Sequence, residues 1–208
     1  MVRSKRKPAT RRRRSADEAR AEILAVAERH LAESGPAAIR LQAIADELGV
    51  THPAILRHFR SRDELLYALL RHAGRRLREA LAASVERGGE RALDAESFFA
   101  ALDRIYRDEG AARLSAWLVL DGFKPRESGM FREAAERMHR GRARKARGRG
   151  PALDDTLFAL VLLNLGAWGE ALVGPALRRA VDLPADAETA RRFRAWVVAL
   201  VRSHLDAA

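Results

Sequence analysis

The residues best suited by type and spacing to do chemistry are basic. Met1 to Arg14 holds eight bases (Arg3, Lys5, Arg6, Lys7, Arg11, Arg12, Arg13, Arg14) and no acid, and Arg137 to Arg149 holds seven (Arg137, Arg140, Arg142, Arg144, Lys145, Arg147, Arg149), again with no acid. The formal excess is +11 on 39 basic and 28 acidic residues, so these two runs carry the whole surplus and leave the remainder slightly acidic. Clustered cations neutralise phosphates and release counterions, which makes a polyanion the natural partner of the first run. Lysine occurs only at Lys5, Lys7, Lys124 and Lys145, so an arginine-biased coding background accounts equally well for the internal run, which reads first as a solvated helix face. Catalysis has no comparable signature. The histidines (His30, His52, His58, His72, His139, His204) fall at no metal-binding spacing, no glycine loop cradles phosphate, and no nucleophile motif is present. No catalytic residue, metal or cofactor is expected, and no enzyme activity.

The elements that must carry those bases are helical. Alanine, leucine, arginine and glutamate dominate, and no alternating β-branched run argues a strand, so the fold class is all-α. At 208 residues the chain can bury a core, and the absence of cysteine removes any disulfide framework, which fits a cytoplasmic location. No apolar leader is seen at the N-terminus. Leu157 to Leu177 is long enough for a membrane span. Glu170 and the expected interruption at Gly174-Pro175 argue instead for a helix buried between protein surfaces, with no membrane partner.

Ser15-Ala16-Asp17-Glu18 and Ser61-Arg62-Asp63-Glu64 both match the capping-box pattern. The first opens a helix to about Ser34; the second opens a long helix past Leu77. Further helices are expected over Asp94 to Glu109, Ala112 to Phe123, Ser128 to Arg147, Asp154 to Val173 and Asp186 to Leu205. Between the capped helices lies IRLQAIADELGVTHPAILRHF. Ile44, Ala45 and Leu48 make a short apolar face, Gly49 can take the left-handed conformation that ends a helix, and Thr51 can cap the next one, with Pro53 in its first turn. Ile55 and Phe59 continue the stripe. Two short helices held across a tight turn are a helix-turn-helix, whose second helix fits the major groove.

From Ser15 to about Leu70, the order of a capped helix, IADELGV, THPAILRHF and SRDELL resembles the DNA-binding region of the tetracycline-repressor (TetR) family. The resemblance covers roughly the first third of the chain. It implies a three-helix helix-turn-helix DNA-binding domain over 15–60 and a helical effector-binding and dimerisation domain over 61–208; the arm over 1–14, basic and low in apolar residues, is expected by its composition to be disordered until it meets a partner. By the same resemblance Gln42 reaches the groove, Thr51 touches phosphate, His52, Pro53, Ala54 and Arg57 form the exposed reading face, and His58 and Arg62 contact the DNA backbone. Two positions depart from the family pattern. Leu56 stands where tyrosine is usual, removing a phosphate hydrogen bond. Arg40 stands where serine or threonine is usual, so the second helix lacks its side-chain cap and Arg40 is free to contact phosphate.

In the C-terminal part, Leu162, Leu165, Gly166 and Gly169 with Phe193, Trp196, Val197, Leu200 and Val201 suit a two-fold four-helix interface between copies. Phe98, Phe99, Tyr106, Trp117, Phe123, Met130, Phe131 and Trp168, with Asn164 or His139 as polar handles, are candidates for an apolar ligand pocket, though each serves a core equally well. The expectation is a homodimeric DNA-binding regulator, a repressor released from a palindromic operator by a small-molecule effector. The alternative is a constitutive, weakly sequence-specific DNA-coating protein.

Overall fold

The computed structural model describes residues 15–88, 94–122, 129, 131–144 and 152–207. Among these residues there is no strand, and the elements are α1 (Ala16–Ser34), α2 (Leu41–Leu48), α3 (His52–Leu56), α4 (Arg62–Gly88), α5 (Ala95–Asp103), α6 (Ala111–Leu120), α7 (Arg132–Ala143), α8 (Leu153–Ala180) and α9 (Ala187–Ala207). A 3-10 turn at Pro36–Ala38 joins α1 to α2, and a π-helical turn at Arg104–Asp108 extends α5. The N-terminal basic run, Phe123, Met130, and Lys145, Arg147 and Arg149 of the internal run lie outside the described residues.

The helix starts follow local chemistry. Ser15 Oγ accepts from the Glu18 amide at 3.1 Å while Glu18 accepts from the Ser15 amide at 2.8 Å, a closed capping box. At α4, Ser61 Oγ accepts from the Glu64 amide at 3.1 Å, but the Glu64 carboxylate reaches one residue further and takes the Arg60 amide at 3.0 Å. The expected helix from Ser128 is shorter: Gly129, at φ 77°, makes a turn closed by the Arg132 amide, and α7 starts only there.

Two apolar cores are built. The first gathers Ile23, Ala27 and Leu31 from α1, Ile44 and Ala45 from α2, Ile55, Phe59, and Leu65, Leu66 and Leu69 from α4, together with Leu114 and Leu118 from α6. It therefore runs past residue 60. The second packs Leu77 and Leu81 of α4 with Phe98, Phe99 and Leu102 of α5, Leu160 and Leu163 of α8, and Val197 and Val201 of α9. Fully burying a side chain of this size contributes about 1.5–3 kcal/mol, so α4, which serves both cores, ties the two halves together.

The expected interruption at Gly174-Pro175 does not occur. Helix α8 runs through Pro175 to Ala180. Gly174 makes room for it: a Cβ there would collide with the Glu170 carboxylate, which lies along the helix to reach Arg178 Nη1 at 2.5 Å. Both partners of that pair are buried, with side chains 6% and 7% exposed, so breaking it by removing one charge is costly. Helix α8 is long and apolar enough to cross a membrane by length and composition. One side of it is instead committed to protein, with Ala159, Leu160, Leu163 and Ala167 buried in the second core.

Candidate nucleic-acid interface

Gly49 ends α2 at φ 62°, ψ 37°, the left-handed region that a Cβ makes costly, and its amide bonds Asp46 O at 3.2 Å. The Val50 amide returns to Ala45 O at 3.0 Å, which closes the corner. Thr51 then sits at the start of α3 in extended conformation, yet its side chain forms no capping bond. Pro53 occupies the second helical position and has no N–H to offer, and the Ala54 amide is taken by the Thr51 carbonyl at 2.9 Å. The expected Thr51 side-chain cap is therefore absent, which leaves its hydroxyl free of the helix.

Ile44, Ala45, Ile55 and Phe59 are at most 1% exposed, so the apolar sides of α2 and α3 point inward. Arg40, Gln42, Thr51, Pro53, Leu56 and Arg57 are exposed, and His52, Ala54 and His58 are partly so. All of these selected side chains therefore keep some access to solvent, and Leu56 is the only exposed large apolar residue of α1 to α3. Gln42 is held by Asp46, its amide nitrogen 2.7 Å from the carboxylate one helical turn on. Arg40 precedes α2 with no side-chain cap, as its residue type predicts. Among the described residues no metal-holding group of three or more His, Asp or Glu is found.

Arg62 differs from the expectation. Its Nε donates to Ile39 O at 2.8 Å, its Nη2 to Pro36 O at 2.7 Å, and its guanidinium lies 4.8 Å from the centre of the Trp117 ring. Its donors are directed at the turn before α2 and its face at α6, so Arg62 braces the domain from inside instead of presenting charge to a phosphate. Arg20 does similar work for α3, donating to His58 O at 2.6 Å and covering the Phe59 ring at 4.0 Å. Glu47 ties α2 to α1 through Arg29 and through His30 Nε2 at 2.8 Å, and these hydrogen bonds hold its carboxyl below the usual range. No local pattern marks Arg20 or Glu47, because their partners are 17 to 38 residues away.

Residues 23–69 match the profile of the family described as bacterial regulatory proteins, tetR family. Residues 23–69 are thus similar to the DNA-binding domain of that family. The chain is 40% identical over 78 residues to the HTH-type transcriptional repressor Rv3405c of Mycobacterium tuberculosis (strain ATCC 25618 / H37Rv), a match covering 36% of this chain and 42% of that protein. The chain thus spans less than half the length of this relative. Over nearly the whole chain it resembles two solved structures. The crystal structure of SCO4313 is 23% identical with a TM-score of 0.56, covering 91% of this chain and 100% of that one. A protein with unknown function from Rhodococcus sp. RHA1 is 26% identical with a TM-score of 0.52, covering 93% and 97%. The fold of both halves is shared with these structures.

Outside the tetR-family domain, the candidate pocket residues are dispersed. Phe98 and Phe99 are buried in the second core, Trp117 packs against the first, and Trp168 Nε1 donates to Ser115 Oγ at 2.8 Å. His139 faces Thr156, and Arg142 donates to Leu205 O at 2.7 Å, so part of the internal basic run is structural. Phe131 and Asn164 do meet. They line a groove of about 390 Å³ between α7 and α8 with Ala135, Leu157, Leu160 and Leu165. The proposed interface residues also divide: Leu162, Leu165, Trp196 and Leu200 are at least half exposed, whereas Val197 and Val201 turn inward and Gly166 packs under Phe99.

Proposed function

We propose that this chain is a homodimeric transcriptional regulator, a repressor that leaves a palindromic operator when a small-molecule effector binds its C-terminal helices. The observation that carries the reading is the Gly49 corner, which seals the apolar sides of α2 and α3 inside and turns the surface from His52 to His58 outward. On that surface Arg57 suits bidentate reading of guanine, Pro53 and Ala54 suit contact with a thymine methyl, and Gln42 and His52 supply further polar edges. Arg40, Thr51 and His58 are assigned to phosphates, with Leu56 contributing only packing. Arg62 is left out of this contact set. The exposed apolar surface of α8 and α9 supports a two-fold pair, which would set two α3 helices about 34–36 Å apart on successive major grooves. The effector acts only through a preference for the conformation that spaces those helices wrongly. The operator places the protein in the cytoplasm.

Selection of bound duplexes from a random pool tests this. An inverted repeat with half-sites about one helical turn apart is the expected result. Recovery of unrelated sequences, with affinity collapsing steeply in salt, would replace the regulator by a DNA-coating protein.

A further inference from the structure

The groove between α7 and α8 is apolar apart from the Asn164 amide and Arg132, whose Nε donates to Glu136 at 2.8 Å. Tyr106 sits on the π-helical turn Arg104–Asp108, where the extra residue per turn re-aims its side chain, and its hydroxyl lies 2.9 Å from Asn164 Oδ1. The phenol donates to Oδ1, and among the described residues it has no other hydrogen-bond partner. Burial pushes the Tyr106 hydroxyl up from its ordinary range and keeps it protonated as that donor. The amide is thereby fixed with its NH2 turned away from the tyrosine, and among the described residues no group accepts from it. A wholly apolar occupant would strip water from that NH2 without replacing the lost bond.

Resting on the reading of the C-terminal helices as the effector-binding part, we infer that the groove binds a small apolar molecule carrying a hydrogen-bond acceptor, which Asn164 Nδ2 recognises while Tyr106 holds the amide in register. Phe131, Leu157, Leu160 and Leu165 supply the apolar walls, and about 390 Å³ lies within the range of small-molecule sites. Asn164 determines specificity, and Tyr106 is a positioning residue. A second copy of the chain is the competing occupant, because Val161 and Leu165 at the rim are exposed apolar residues of α8.

The test uses the full chain with labelled methyl groups and side-chain amides, titrated with 4-phenyl-2-butanone, its hydrocarbon counterpart butylbenzene and the amine 4-phenylbutan-2-amine. The ketone is expected to shift the Leu157, Leu160 and Asn164 signals and to bind about five- to tenfold more tightly than the hydrocarbon. Asn164→Leu should erase that preference while retaining both ligands. Tyr106→Phe frees the amide to rotate and should narrow the gap between ketone and protonated amine, a change that loss of packing alone would not produce. Equal binding of ketone and hydrocarbon, or groove signals that respond only to protein concentration, would overturn the inference. Duplex binding is measured in the same samples. Ketone recognition without any effect on DNA affinity sinks the effector reading and leaves the groove assignment intact, whereas an effect on DNA without groove shifts does the reverse.

Discussion

The two halves of the molecule handle apolar surface in opposite ways. In the N-terminal half, α1 to α3 expose a single large apolar residue, Leu56 at 37%, and the others of that kind are buried or, like Leu41 and Leu48, partly buried. In the C-terminal half, Phe158 is 69% exposed, Leu165 60% and Trp196 60%, on helices whose other sides are fully packed. An apolar area of that extent marks an interaction surface. The N-terminal half closes its apolar surface within one chain, whereas the C-terminal half leaves part of its own open. This contrast is what supports the proposal that one half reads DNA and the other pairs two copies.

The strongest way to break this contrast is at Phe59, which is fully buried and covered by Arg20. Phe59→Ala should cost about 3–5 kcal/mol, seen as a separate early transition in denaturant unfolding; a loss under about 1 kcal/mol would mean that the domain is not held as described. On the other half, combining Leu165→Glu with Trp196→Glu should leave the fold of the single chain in place yet halve the mass in sedimentation. Affinity for a two-half-site duplex should then fall about 100-fold. Arg62→Ala removes two bonds to carbonyls and the Trp117 contact, and should cost about 2 kcal/mol of stability, with lysine recovering less than half because it cannot span both carbonyls. A loss of DNA affinity with stability untouched would return Arg62 to the phosphate. Gly49→Ala meets no neighbour within 4 Å, so its cost is backbone strain alone, about 1 kcal/mol.

The smallest effect lies in acid. Glu47 has its folded pKa lowered by His30 and Arg29, so its contribution is present above the unfolded carboxylate range and is lost as pH falls through the lowered value. Glu47→Gln should flatten the acid limb of a thermal-stability profile and leave the neutral limb shifted only slightly.

Where the sequence was legible, the signals were local. The capping box at Ser15, the stop at Gly49 and the stripe of Ile44, Ile55 and Phe59 all act within a few residues, and the helix-turn-helix follows from them. The failures have long-range or compensating causes. Pro175 disfavours a helix in isolation, yet α8 continues through it, with the buried Glu170 to Arg178 pair, for which the bare Gly174 leaves room, spanning the site. Arg62 looked like a surface cation because its partners, Pro36, Ile39 and Trp117, come from other elements. The pocket residues are dispersed for a general reason: aromatic residues mark cores as readily as cavities, and the pairing of Tyr106 with Asn164 across 58 residues is invisible to a local pattern.

The claim that the His52 to His58 surface reads bases is tested most directly by repeating the duplex selection with Arg57→Ala. The selected repeat should lose its preference at the same one or two base pairs in each half-site, while affinity for an unrelated duplex stays within about twofold. An unchanged repeat bound more weakly throughout would contradict the account, because Arg57 would then be touching phosphate and some other surface would be reading the sequence.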